Sequence, residues 1–216
     1  MRSRFDEQLS NLSKELTTMG AMCEEIIALT SKALSDGDKK LLSKVFPIAN
    51  DIDRMERTIE ALCLRLLLQQ QPVARDLRQI SAALKMITDM ERIGDQAADI
   101  AEIVPFICEK PSENCALIGE MAKAAISMVT MSIDAYVKQD LDIAHAAMVK
   151  DDIVDGYFRK IKRLLIDMIA GMPEDGEYAL DLLMIAKYFE RIGDHAVNIA
   201  EWVAFSITGE HVEQNQ

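Results

Sequence analysis

Glycine and proline are scarce in this chain, at 9 and 5 of 216 residues. So few breakers, with no sustained alternation of apolar and polar residues, exclude a strand-rich fold and favour helices throughout. The four cysteines, Cys23, Cys63, Cys108 and Cys115, show no CxxC spacing. A thiolate metal site is therefore not expected, and Cys23 and Cys63, among apolar helical neighbours, read as buried free thiols. Apolar runs such as Leu66–Leu68 and Ala179–Ala186 are short and interrupted, below the roughly 18–20 residues that span a bilayer. The opening MRSRFDEQLSN lacks the apolar core of a signal peptide, so a cytoplasmic protein is expected. Basic residues are also in the minority: 24 Lys and Arg face 36 Asp and Glu, a net charge of −12. That disfavours nucleic acid and a purely electrostatic hold on an anionic membrane. Cations, or basic patches on protein partners, suit it better.

Half of the residues are apolar and 28% are charged, a globular composition able to bury a core. Apolar residues recur every three or four positions, and breakers divide the chain into six expected helices. They run over about 5–34, 38–70 (with Pro47 as a kink or restart), 73–108 (bent at Pro105), 113–138, 140–170 and 177–207. KPSENC at Lys110–Cys115 is the expected linker, with Ser112 or Asn114 as a helix cap.

ERIGDQAADIAE at Glu91–Glu102 recurs as ERIGDHAVNIAE at Glu190–Glu201, displaced by 99 residues with 9 of 12 positions identical. This is an internal duplication. Pro72 and Pro173 both sit in the turn before the repeated helix. The fold that follows is all-α: two homologous antiparallel three-helix bundles side by side, related by a pseudo-two-fold. The first bundle is expected over 1–110 and the second over 113–208, with 209–216 a frayed tail.

The acids of each copy fall at i, i+4, i+8 and i+11, one stripe of a helix. The stripes hold Glu91, Asp95, Asp99 and Glu102, then Glu190, Asp194, Asn198 and Glu201. Asp151 and Asp155, with Asp152 beside them, lie on the fifth expected helix; Asp53, Glu56 and Glu60 lie on the second. Each of these helices precedes a repeated one through a turn, so the acidic faces can meet. Two carboxylates about 6 Å apart repel by roughly 3 kcal/mol at an effective dielectric near 20. Three readings of the stripes remain open at this point: a hard metal ion held by oxygens, a solvated acidic face, or pairing with a partner's Lys or Arg.

Arg92 and Arg191 read as ion-pair partners of neighbouring acids, or more sharply as an anion site. Gly94 and Gly193 sit mid-helix at about 1 kcal/mol each relative to alanine, which points to close helix–helix approach. His195 reads as a surface or interface residue, or a peripheral ligand; His145 and His211 have no recognisable context. The methionines, among them Met19, Met22, Met121, Met128 and Met131, read as core.

The doubled ERIGD-x-A-x-[DN]-I-A-E block, with the preceding Asp151-x-x-x-Asp155, resembles the PhoU family of phosphate-transport regulators over essentially the whole chain. The resemblance implies two three-helix bundles and multinuclear clusters, iron or zinc, with manganese or magnesium as further candidates. It also implies restraint of a phosphate ABC transporter through its ATPase and of the phosphate-starvation response through a sensor histidine kinase, at the inner face of the membrane through those proteins. A homodimer is expected. On the resemblance, Glu190, Asp194, Asn198, Asp151 and Asp155 form one metal site, and Glu91, Asp95 and Asp99 belong to the other. Displacing Asp151 and Asp155 by 99 residues lands on Ile52 and Glu56. Ile52 cannot ligate, so the first-half site keeps Glu56, with Asp53 or Asp51 as substitute. Asn198, where the first copy has Asp99, is an uncharged ligand.

The expected function is thus a non-enzymatic, metal-binding negative regulator of phosphate uptake. The alternatives are a metal-free helical adaptor or dimerisation module, a carboxylate-bridged di-metal oxidase, and a phosphohydrolase. Ferritin-like oxidases need Glu-x-x-His, which this chain lacks. A phosphohydrolase would depend on a metal-bound water, since no Ser, Cys or His nucleophile stands beside the stripes.

Overall fold

The computed structural model describes residues 2–70, 72–107 and 113–211, and those residues form helices without a strand. They are α1 (Arg2–Asp36), α2 (Lys39–Gln70), α3 (Ala74–Ile107), α4 (Glu113–Lys138), α5 (Leu141–Val149), α6 (Asp151–Gly171) and α7 (Gly176–Thr208), with a 3-10 turn at Pro173–Asp175. Buried positions step by three and four along each long helix, as in Ile80, Ala83, Ile87, Met90, Ile93 and Ala97 of α3. That spacing puts one apolar stripe toward the core. α1, α2 and α3 pack into the first bundle; α4, α5, α6 and α7 pack into the second. α3 against α7, helped by α1 against α4, joins the two, and the α3–α7 pairing is the most extensive in the molecule.

Three local expectations change. The helix expected over 140–170 is two helices, broken at Lys150. Asp140 caps α5, its side chain accepting from the N–H groups of Asp142 and Ile143. Asp151 and Asp152 then stand in the first turn of α6, where unpaired N–H groups and the helix dipole favour negative charge. Pro47, by contrast, lies inside an unbroken α2, so no restart occurs there; α3 runs through Pro105, as the expected 73–108 helix does.

The third change concerns apolar length. The segment Ala116–Lys138 is 23 residues long with a mean hydropathy of 1.4, long and apolar enough by those measures to cross a membrane. Its Ile118, Met121, Ala125, Met128 and Val129 are all buried in the protein core, with 44% of its most apolar stretch buried in all.

Met19, Met121 and Met128 are buried, and Met22 and Met131 pack against the core. Cys23 and Cys63 are buried free thiols. Gly209 closes α7 in the left-handed conformation, φ 81°, its N–H donating to Phe205 O. His211 then stacks on Phe205 at 4.3 Å and meets Trp202 edge-on. Ser112, Cys108 and residues 212–216 lie outside the described residues, as does the side chain of Cys115; Asn114 falls within α4.

Candidate metal centre

The two repeated glycines bring the acidic helices together. A methyl group at Gly94 would lie 3.2 Å from Ile52 Cδ1, and one at Gly193 would lie 3.2 Å from Asp151 Oδ1 and 3.3 Å from Val154 Cγ1. α2 therefore closes on α3, and α6 on α7, at the level of the stripes. Close approach is what a mid-helix glycine allows.

In the first half, Asp53 of α2 and Glu91 and Asp95 of α3 converge, with ligand oxygens no more than 4.8 Å from one another. Ile52, at the place of Asp151, is fully buried against Gly94. Of the two substitutes, Asp53 joins the cluster while Asp51 is ion-paired with Arg54. Glu56 stands close enough for its charge to act on Glu91. Burial lifts the carboxyls of Glu56, Glu91 and Asp95 above their usual range. Neighbouring charges add to it: Glu60 and Asp53 on Glu56, Asp95 and Glu56 on Glu91, and Asp53 on Asp95. Arg92, 3.6 Å from Glu91, opposes part of this repulsion, as the ion-pair reading anticipates.

In the second half, Asp151 and Asp155 of α6 face Glu190 and Asp194 of α7. Asp151 is pushed up to about 6, first by burial and then by the charges of Asp155, Asp194, Asp152 and Glu190. Its Oδ1 is buried with no hydrogen-bond partner. Burial and Glu190 raise Asp194, while Lys187 works against them. Arg159 lies 3.3 Å from Asp155, and Lys187 is ion-paired with Glu190.

These donors fit a hard cation. Oxygens sharing one ion lie at most about twice the metal–oxygen distance apart, roughly 4.2 Å for Mg²⁺ and 4.6–5.2 Å for Ca²⁺. The Asp53, Glu91 and Asp95 oxygens, within 4.8 Å of one another, stand inside the Ca²⁺ limit as they are; a smaller ion would draw any pair at the 4.8 Å limit together by a few tenths of an ångström. The orphaned Asp151 oxygen is a lone pair left without a donor, which a cation would satisfy. Metal at either centre would neutralise repelling carboxylates and fix the angle between two helices.

The far ends of the stripes go elsewhere. Asn198 donates from Nδ2 to Asp89 Oδ1 of α3 at 3.0 Å, across the α3–α7 seam. Burial, then the charges of Glu102 and Asp95, lift the Asp99 carboxyl above its usual range, while Arg191 and Tyr188 of α7 stand near enough to oppose part of that lift. His195 is an interface residue, its Nδ1 2.8 Å from the same Asp89 oxygen. Asp89, Tyr188 and Lys187 carry no motif of their own. Their one sequence signal is position, within the same repeated helices a turn or less before the ERIGD block.

The PhoU domain matches this chain twice, over residues 16–104 and 118–203, one match on each bundle. A Clostridium acetobutylicum protein named phosphate-specific transport system accessory protein PhoU homolog is 35% identical over 216 residues, 99% of each chain. Its namesake from Pseudomonas aeruginosa is 32% identical over 97% of this chain and 87% of its own. The crystal structure of PhoU from Pseudomonas aeruginosa superposes with a TM-score of 0.90 at 32% identity, covering 95% of this chain and all of that one. The phosphate transport system regulatory protein PhoU from Streptococcus pneumoniae gives 0.89 at 26% identity, over 97% and 99%. With the domain present in both halves and relatives matched nearly end to end, the chain belongs to the PhoU family.

Proposed function

We propose that this chain is a cytoplasmic, non-enzymatic negative regulator of phosphate uptake and phosphate-starvation signalling, working as a metal-loaded helical scaffold. Its partners are the ATPase of a phosphate ABC transporter and a sensor histidine kinase, engaged as a homodimer. The names of its relatives support the transport role. The observation that carries the metal role is the convergence of Asp53, Glu91 and Asp95 from two helices. Iron or zinc clusters, or manganese, would neutralise the stripes and set the α2–α3 and α6–α7 angles, so that the docking surface exists in the loaded state.

Elemental analysis of untagged protein purified without chelator tests this, beside a Glu190→Ala/Asp194→Ala variant. Several ions per chain, falling in the variant, are expected, followed by weakened capture of the ATPase and kinase when metal is stripped. A stripped protein that binds and regulates normally sinks the scaffold reading. The metal-free adaptor is the second reading, favoured by Arg92, Arg159 and Lys187, which already set cations beside the carboxylates. Absence of stoichiometric metal in the wild type, with partner binding intact, would select it.

A further inference from the structure

The second-half centre has a cation of its own. Lys187 of α7 sets its ammonium on Glu190, one turn along the same helix. The same ammonium lies over the Phe158 ring of α6, 5.5 Å from its centroid. It thus stands at the α6–α7 junction, where Asp151 and Asp155 face Glu190 and Asp194. The Glu190 side chain is 14% exposed and that of Lys187 40%, so the carboxylate is largely buried while the ammonium stem reaches the surface. Ninety-nine residues earlier stands Thr88, exposed and uncharged. In the first half Arg92 lies beside Glu91, with its side chain 59% exposed, and Arg57 and Arg92 act on Glu56. The duplication repeats Glu190 and Asp194 as Glu91 and Asp95 but puts no lysine at the place of Lys187.

We propose that Lys187 is a tethered counter-ion, seated on Glu190 while the second-half centre is metal-free and displaced from it when a divalent cation binds. The inference rests on the metal reading above and adds a regulatory step to it. An ammonium is a compact point charge with three donors and no acceptor, so it seeks the same carboxylate oxygens as a hard divalent ion. Being tethered, it is always at hand and needs no binding entropy. The incoming ion must therefore exceed a concentration threshold that the carboxylates alone would not impose. Without metal, the lysine keeps four acids from splaying the α6–α7 junction. With metal, its ammonium leaves Glu190 and the Phe158 face for solvent, adding a mobile positive charge beside the centre.

The test uses the full chain with the first-half centre disabled by Glu91→Ala/Asp95→Ala, titrated with Mn²⁺ by calorimetry. Lys187→Met keeps the stem without the charge, and Lys187→Arg keeps the charge. Loss of one charge-assisted hydrogen bond as competitor corresponds to about tenfold tighter Mn²⁺ binding in Lys187→Met, with Lys187→Arg close to the parent. The metal-free melting temperature of Lys187→Met should fall and the loaded one return to the parent's. Reductive methylation read by mass spectrometry should label Lys187 faster in the loaded parent than in the metal-free parent. Equal Mn²⁺ affinity with and without the lysine, or labelling unchanged by loading, overturns the proposal. So does a melting temperature lowered alike in both states, which marks a merely structural lysine. If the parent takes up no Mn²⁺ and the unmutated chain no iron or zinc, the metal reading itself fails, which is a separate result from loading that ignores Lys187.

Discussion

Asp89 of α3 accepts two hydrogen bonds from α7 through one oxygen, from His195 Nδ1 at 2.8 Å and Asn198 Nδ2 at 3.0 Å. Displacement by 99 residues turns Asp89 into Tyr188 and Asn198 into Asp99, and those two are also neighbours across the seam, close enough for each to act on the other's ionisation. A pseudo-two-fold passes between α3 and α7, and each side of it needs one donor and one acceptor. Where the stripe exchanges Asp for Asn, its seam partner exchanges Tyr for Asp. The Asn198 amide is thus explained by hydrogen-bond complementarity across the seam.

A substitution at the seam tests that account. Asn198→Asp sets two carboxylates against each other and should cost about 1–3 kcal/mol, the usual penalty for an unsatisfied polar group at a partly buried site. Asp89→Asn/Asn198→Asp exchanges donor and acceptor and should recover most of the loss in thermal melts. If Asn198→Asp instead leaves stability unchanged and raises metal uptake, Asn198 belongs to the metal centre.

Gly193→Ala separates stability from site geometry. The added methyl meets Asp151 Oδ1 at 3.2 Å and Val154 Cγ1 at 3.3 Å, so both must yield a few tenths of an ångström. Alanine also improves the helix by about 1 kcal/mol over glycine. Stability should therefore change by less than about 1 kcal/mol, while second-half metal affinity falls because Asp151 is pushed aside. Unaltered affinity by calorimetry would show that Asp151 is not a ligand.

Acid should act oppositely on the metal-free and loaded proteins. Asp151 is raised from an ordinary 3.8 to about 6 by burial and then by its acidic neighbours. The folded metal-free chain thus holds this proton more tightly than the unfolded chain. Its contribution to stability is full below about 4 and is lost as pH rises through about 6. Metal-free wild type should lose melting temperature between about pH 4 and 6, and Asp151→Asn should lose less. Metal retention should run the other way, falling as pH drops below about 6. Parallel melting profiles for the two proteins would remove Asp151 as the source.

The buried thiols should be inert. Burial, then the charge of Glu24, pushes Cys23 up to about 12; burial, then Glu60, does the same to Cys63. Cys23 also donates weakly to the Met90 carbonyl at 3.5 Å. Since the thiolate is the reacting form, iodoacetamide at pH 8 should modify neither in the native protein and both in urea, as read by peptide mass spectrometry. Native labelling at Cys63 would mean that α2 opens.

Glu91 and Asp95, and Glu190 and Asp194, are legible in the chain because a 3.6-residue period places i and i+4 on one face whatever lies opposite. The duplication, the two bundles and the close approach at Gly94 and Gly193 are legible for the same reason: each is a repeat or an interruption of a local period. Ile52 can be seen not to ligate, but that Asp53 replaces it while Asp51 turns to Arg54 depends on how α2 is rotated against α3. The break at Lys150, the turn of Asn198 toward Asp89 and the seat of Lys187 at Phe158 depend on axial shift and rotation between helices. Those are decided by the packing of residues such as Ile93, Ile192 and Phe189 in the core. Helical period tells which residues share a stripe; only the docking of one helix on another tells which stripe they meet.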